Sequence, residues 1–307
     1  MSQLIQIHDS AVDGATESRH HDRPSWLKIR YRQSDELDRV QGLVNDLQLN
    51  TVCQSAACPN LSECWSHGTA TFMLGGNICT RRCGFCDVAS GKPTALDLAE
   101  PVRVADAVAT LGLRFAVITA VARDDVEDGG AAHFAATLRA LHERAPGCKV
   151  EVLIPDFRGS ESALEAVLDA NPDVLNHNLE TVERLQKQVR RGAKYATSLS
   201  LLKRASLLRP DIPTKTGIML GLGEEDVEVE ATLRDILDHG CRLLTIGQYL
   251  RPSPDHLAVE RYVPPEEFDA WRELGLKLGF DEVASGPLVR SSYRAEQLAA
   301  QAQESGR

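Results

Sequence analysis

From Thr71 onward, short apolar runs alternate with longer stretches in which apolar residues recur at i, i+3 and i+4. The short runs, 71–74, 115–119, 150–154, 174–176, 216–220 and 243–246, have the length and composition of buried strands. The periodic stretches PVRVADAVATLG, AAHFAATLRALHERA, SESALEAVLDA, SLLKRASLLRP, VEVEATLRDILDHG and PPEEFDAWRELGLKLG read as amphipathic helices. Several end in Gly, and Ser160 is placed to cap one of them. Repeated strand–helix alternation implies a parallel sheet with right-handed crossovers. Almost every Gly-rich or unusual polar motif directly follows a strand: GGNICTRRCGFC, RDD, PDFRGS, HNLE, GLGEE and QYLRPSP. An open sheet brings together only the loops near its switch point, whereas a barrel gathers all of them. The pattern therefore predicts an α/β fold, a partial (β/α)6 TIM-type barrel over residues 71–280, with N-terminal and C-terminal extensions.

Residues 1–24 are polar and aperiodic and read as a mobile tail, in which His8, His20 and His21 are solvated rather than metal ligands. Residues 25–70 contain one helical stretch, 35–49, and a Cys-rich loop, too little apolar content for a core of their own, so they are expected to dock on the barrel. Residues 281–307 form the C-terminal extension. The chain of 307 residues is 43% hydrophobic and 25% charged with 22 Gly and 14 Pro, which excludes collagen-like, disordered and disulfide-scaffold classes. A formal charge of -10 argues against broad nucleic-acid or membrane-surface binding. No apolar run reaches the roughly 18 residues of a membrane span, and the N-terminus resembles neither a signal nor a transit peptide, so a cytoplasmic location is expected. In a reducing compartment, eight cysteines point to metal ligands or catalytic thiols before disulfides.

Cys79, Cys83 and Cys86 form C-x3-C-x2-C after the first strand. Three thiolates can hold three irons of a 4Fe-4S cubane and leave the fourth iron open. Structural zinc, the alternative, prefers paired C-x2-C knuckles and four closed ligands. Gly75 and Gly76 just before would let the backbone approach a cluster or its ligand. With Phe85 preceding the last cysteine, this arrangement resembles the radical S-adenosylmethionine (SAM) superfamily. The resemblance implies that SAM binds the open iron through its amino and carboxylate groups. A reduced cluster then cleaves it to methionine and a 5'-deoxyadenosyl radical that abstracts hydrogen from substrate.

Cys53, Cys58 and Cys64 form a second triad, C-x4-C-x5-C, which alone would also fit structural zinc with a distant ligand. It lies so close before the first triad that both are expected near one face of the barrel, and two clusters are the economical reading. Cys148 and Cys241 read as packed core thiols.

The whole pattern resembles the lipoyl synthase family: RPSWLKIR, CQSAACPNLSECW, GGNICTRRCGFCDV, VARDDVEDGG, VEVLIPDF, NHNLETV, TGIMLGLGEE, GQYLRPSPDHLAVERYVPPEEFD and ASGPLVRSSYRA, covering about residues 23–295. The resemblance implies two 4Fe-4S clusters and SAM as cofactors, with Ser292 of RSSY as fourth ligand of the auxiliary cluster held by Cys53, Cys58 and Cys64. Without it, RSSY would read as a strand end or helix cap. The activity implied is that of a sulfurtransferase of protein lipoylation. Two sulfurs enter C6 and C8 of an octanoyl-lysine, each hydrogen removal using one SAM, and the auxiliary cluster is the sulfur donor consumed in each turnover.

Implied partners are octanoylated lipoyl carrier domains (2-oxoacid dehydrogenase acyltransferase subunits and the glycine cleavage H protein), an electron donor such as flavodoxin or ferredoxin, and an iron-sulfur cluster carrier. Neither nucleic acid nor membrane is among them. Asn178, Glu180 and the Gly221 and Gly223 backbone resemble segments that line SAM. Arg123, with Asp124 and Asp125, is a candidate for holding SAM or substrate, and Arg290 for positioning Ser292 or guiding the carrier. Gln54, Ala196 and Thr197 depart from the family pattern without touching a proposed ligand. A biotin-synthase-like enzyme would need only the first triad; an electron carrier or scaffold would need no SAM pocket, and a zinc module no SAM chemistry. A monomer is expected, because the sulfur-transfer face must stay open to a folded carrier.

Overall fold

The structure, a computed structural model, describes residues 23–27, 35–55, 58, 60–66, 69–293 and 295–298. The tail with His8, His20 and His21, apart from residues 23 and 24, lies outside the described residues. Seven strands, β1 (Thr69–Leu74), β2 (Phe115–Ala120), β3 (Lys149–Leu153), β4 (Val174–Asn176), β5 (Thr214–Leu220), β6 (Leu243–Gln248) and β7 (Glu282–Gly286), form one sheet in sequential order. Every pairing is parallel. The six expected strands are all present. The seventh, EVASG, adds one more and takes in part of the stretch read as C-terminal extension. Only Val283 of its five residues is buried, so its apolar signal is too weak to read from the sequence.

The expected helices cover the outer face. Gly112 ends Glu100–Leu111 in the left-handed conformation with φ 62, and Ser160 caps Glu161–Asp169 by accepting from the Ala163 amide. Alternate strand residues such as Phe72, Ile118, Val150 and Val152 pack beneath these helices against Val108, Phe134, Leu138 and Val167. Ile218, Leu244 and Ile246 do the same against Leu233, Ile236 and Phe268. Each such side chain contributes about 1.5–3 kcal/mol on leaving water.

The inner face is built in layers. Phe115, Val174 and Leu243, the first residues of β2, β4 and β6, meet Ala295 and Val117 and plug the N-terminal end of the barrel. Glu151 and Lys215 stand on the same inner face without exposed surface, paired at 2.9 and 3.1 Å, and Asn176 Nδ2 donates to Glu151 Oε1 at 2.7 Å. A buried pair broken on one side leaves an uncompensated charge. Lys215→Met is therefore expected to cost about 3–5 kcal/mol in urea unfolding, and Glu151→Leu with Lys215→Met together much less.

At the C-terminal end the inner positions shrink to glycine. A side chain at Gly217 would strike Thr245 and Asn178, and one at Gly247 would strike the Val289 carbonyl. Their absence lets Asn178 and the segment after β7 cross the mouth.

β1 and β7 are the two edges of the sheet. The segment before β1 docks on its free edge through a Thr51–Phe72 bridge, a Met73 amide to Asn50 carbonyl bond of 2.8 Å and the buried Trp65. From there it reaches the chain after β7: Asn60 Nδ2 donates to the Leu288 carbonyl at 2.7 Å, and the Tyr293 hydroxyl to Glu63 at 3.1 Å. No described helix is long and apolar enough to cross a membrane.

Candidate functional site

The loop after β1 begins with Gly75 and Gly76 at φ 78 and 91. The Gly75 amide donates to Glu100 at 2.8 Å, and buried Glu100 is held by His133 Nε2 at 2.7 Å. Arg123, 3% exposed, donates to the Gly75 carbonyl, the Thr94 carbonyl and both carboxylate oxygens of Asp125. Its guanidinium thus braces the glycine turn. Further along, Arg81 forms a bidentate pair with Asp124 at 2.8 Å and reaches Asp156 at 2.6 Å. These contacts tie the cysteine loop to the ends of β2 and β3.

Cys79 Sγ accepts from the Ala122 amide at 3.3 Å and the Arg81 amide at 3.4 Å. The Gly84 amide donates to the Val189 carbonyl, the Leu257 amide to the Gly84 carbonyl, and His256 Nε2 lies 3.1 Å from the Cys86 carbonyl. A carbonyl only accepts, so Nε2 donates to it, while Nδ1 lies 2.8 Å from the Ser253 hydroxyl. Burial and the neighbouring thiolate charges push Cys83 up to about 12 and Cys86 up to about 11. Such a set of thiolates needs a cationic centre to exist together, and two amide N–H groups already point at Cys79 sulfur. Among the described residues no three His, Cys, Asp or Glu side chains close on a single metal ion. Three thiols on one short loop, the first already receiving two backbone amides, have the donor chemistry of a 4Fe-4S cluster.

The second triad sits at the seam between β1 and β7. Cys53 lies in helix Val52–Ser55, Cys64 in helix Leu61–Ser66, and the Cys58 amide donates to the Cys53 carbonyl at 3.0 Å. Burial, then the Cys58 charge, pushes Cys53 up to about 11. Burial also raises Cys58, opposed by the Asn60 amide and by Arg290. Arg290 opens the turn that carries Ser292, in which the Tyr293 amide donates to the Arg290 carbonyl at 2.9 Å. The RSSY segment and the second triad are therefore neighbours, although 226 positions separate Cys64 from Arg290 in the chain. Sulfur donors gathered at a partly exposed seam fit a second cluster.

Between these loops the mouth is polar. Asn178 Nδ2 donates to Glu180 at 3.1 Å, while Asn178 Oδ1 is buried without a protein partner. Glu180 keeps some surface yet is ringed by protein within the concave mouth, and that burial raises its carboxyl, opposed by Arg190 and Asn178. Behind them, His177 bonds the Ile154 carbonyl and Ser198, which also accepts from Arg190 at 2.9 Å. Complete burial lowers His177 to about 4.

The unfolded chain protonates this histidine below about pH 6.5 and the folded chain only near pH 4. Its contribution is thus intact above pH 6.5 and falls away as acid is added down to about pH 4, by roughly 3 kcal/mol in all. His177→Gln is expected to flatten that part of a stability–pH curve measured by urea unfolding.

Gly221 and Gly223 take φ 98 and 94. The Gly221 amide donates to Glu224 and its carbonyl accepts from the Glu260 amide, while the Gly223 carbonyl accepts from Arg184. This loop is held by its own carboxylate. Cys148 and Cys241 are buried, as expected of core thiols. Arg81, Asp156, Arg190, His256 and the Glu151–Lys215 pair were not singled out by the sequence. The last had a legible signal, two opposite charges inside otherwise apolar strands.

A family profile of the radical SAM superfamily matches residues 73–236. Lipoyl synthase of Methylococcus capsulatus is 57% identical over 279 residues, covering 91% of this chain and 87% of that protein. Lipoyl synthase of Syntrophotalea carbinolica is 56% identical over 275 residues, 89% of each chain. Among solved structures, HydG, a maturase of the [FeFe]-hydrogenase, aligns with a TM-score of 0.54 at 14% identity over 81% of this chain and 62% of that one, a likeness of fold alone.

Proposed function

Because the chain belongs to the lipoyl synthase family of the radical SAM superfamily, we propose that its two cysteine triads divide the work of one reaction, Cys79, Cys83 and Cys86 serving hydrogen abstraction and Cys53, Cys58, Cys64 and Ser292 serving sulfur supply. The enzyme is a sulfurtransferase that inserts two sulfurs at C6 and C8 of an octanoyl group carried on a lysine of a lipoyl carrier protein, with SAM and two 4Fe-4S clusters. When bound, the first cluster and SAM supply one-electron hydrogen abstraction from unactivated C–H bonds, which no side-chain acid or base performs at neutral pH.

The chain's own residues fix where that happens. Arg81, Asp124 and Asp156 immobilise the cysteine loop from one side, and His256 and the Leu257 amide from another. Two backbone amides donate to the Cys79 sulfur and fix its place in the loop. Asn178 and Glu180 offer an unpartnered amide oxygen and a carboxylate to the amino or hydroxyl groups of SAM. Arg123 acts one step back, holding the glycine turn. The second triad is a holder of substrate: the sulfide it presents leaves with the product. The hard serine oxygen, mismatched to a soft iron-sulfur site, makes one iron easier to release.

The observation that carries this reading is the meeting of the second triad with the RSSY turn, through Asn60–Leu288, Glu63–Tyr293 and Cys58 beside Arg290. Flavodoxin, ferredoxin or another reductant as donor, a cluster carrier and a cytoplasmic setting belong to the same proposal. Anaerobically reconstituted protein given SAM, dithionite and octanoylated H protein is expected to yield lipoylated product by mass spectrometry, with about two 5'-deoxyadenosines per lipoyl group. Deoxyadenosine without any sulfur insertion would overturn it.

A further inference from the structure

The segment after β4 lies directly against the first cysteine loop. The Gly84 amide donates to the Val189 carbonyl at 2.8 Å, and Gly192 abuts the Arg81 side chain. Between residues 80–87 and 183–194 there are seven basic residues and two acidic ones, in a chain whose formal charge is -10. Arg81, Arg184 and Arg190 are occupied, by Asp124 and Asp156, by Glu228, and by Ser198. Arg82, Lys187, Arg191 and Lys194 are exposed, and no ion pair involves them among the described residues. With Gln188, Lys187 and Arg191 line an open concavity. A solvated helix end needs no such local reversal of charge.

We propose that this basic rim is the docking surface for a small acidic one-electron carrier protein, resting on the reading of Cys79, Cys83 and Cys86 as cluster ligands. Electron transfer falls steeply with distance, so a donor must seat close to the loop that holds the acceptor. Here the loop backbone bonds directly to the segment that bears the exposed cations. A positive patch on an otherwise acidic protein steers a negatively charged partner to that one place. One electron passes from the reduced carrier to the oxidised cluster, leaving the carrier oxidised by one, with no bond or proton exchanged. The octanoylated carrier domain is the other protein to be received. Its acyl chain must pass between the first cysteine loop, where hydrogen is removed, and the second triad at the β1–β7 seam, whereas this rim follows β4, the middle strand of seven. Entry from the seam side leaves the rim to the electron carrier.

The test uses the cluster-loaded full chain, a reduced flavodoxin of strongly negative net charge, and the variant Lys187→Glu with Arg191→Glu. Lys203→Glu with Lys277→Glu, exposed residues on other helices, gives the same change of net charge elsewhere. The rim variant is expected to bind flavodoxin about tenfold more weakly in a fluorescence titration and to lose most of the salt dependence of binding. Flavodoxin-driven deoxyadenosine formation falls in parallel, while dithionite-driven formation matches wild type. Flavodoxin affinity equal to that of the control pair overturns the proposal. So does a raised KM for octanoylated carrier with flavodoxin binding intact, which would assign the rim to the carrier. Failure of the wild type to cleave SAM even with dithionite would sink the reading of the cysteine loop instead, and the binding titration would still decide the rim.

Discussion

Replacing Cys53, Cys58 and Cys64 together with alanine is expected to lower the iron of anaerobically reconstituted protein from about eight to about four atoms per chain, with acid-labile sulfide falling alongside. Lipoyl formation should vanish while reductive cleavage of SAM continues. The separation rests on location: the second triad belongs to the segment docked on the free edge of β1, whereas Cys79, Cys83 and Cys86 are held by Ala122, Val189, Leu257 and His256, none of which belongs to that segment. Cys53 is buried, next to Thr71 and Trp65, so the variant's thermal unfolding has to be followed beside its iron content. A wild-type value near four irons, unchanged by the substitutions, would leave a single-cluster enzyme and remove the basis for sulfur supply.

Ser292→Ala should separate the two chemistries without removing any thiol. Lipoyl yield is expected to fall by about a hundredfold, with SAM cleavage within a few-fold of wild type. The turn carrying Ser292 is anchored independently, by the Arg290 carbonyl and by Tyr293 on Glu63, so loss of one hydroxyl leaves its place in the fold intact. Ser292→Cys, which places a soft ligand there instead, is expected to retain iron that the alanine variant loses. Equal loss of both activities in Ser292→Ala would count against a role confined to the second cluster.

Most of the barrel was legible because its strands are buried on both faces and so stand out as apolar runs. β7 was not, since an edge strand with one buried residue and a terminal glycine carries almost no such signal. The spacing of Cys79, Cys83 and Cys86 alone suggested a cluster loop, whereas that of Cys53, Cys58 and Cys64 alone fitted structural zinc as well. The meeting of the RSSY turn with Cys58, through Arg290, did not follow from spacing; only resemblance pointed to that segment, and the geometry that brings it there is long-range. Arg123 illustrates the other limit. A basic residue at a strand end suggests a ligand contact, but its donors go to Asp125 and two carbonyls, a fact that depends on how the glycine turn and residue 94 fold back. The bracing roles of Arg81 and His256 were hidden for the same reason: their partners come from distant loops.

The seam between β1 and β7 has a consequence for the life of the molecule. Asn60 and Leu288 are 228 residues apart in sequence, and Cys64 and Ser292 equally so. A cluster ligated by both would cross-link the two ends of the barrel and remove chain entropy from the denatured ensemble, worth about 5 kcal/mol for a loop of that size. Each catalytic cycle that consumed such a cluster would then cut this tie. The spent enzyme would be a looser-ended molecule than the charged one, more open to local fraying and proteolysis, and recharging would restore its mechanical closure together with its sulfur.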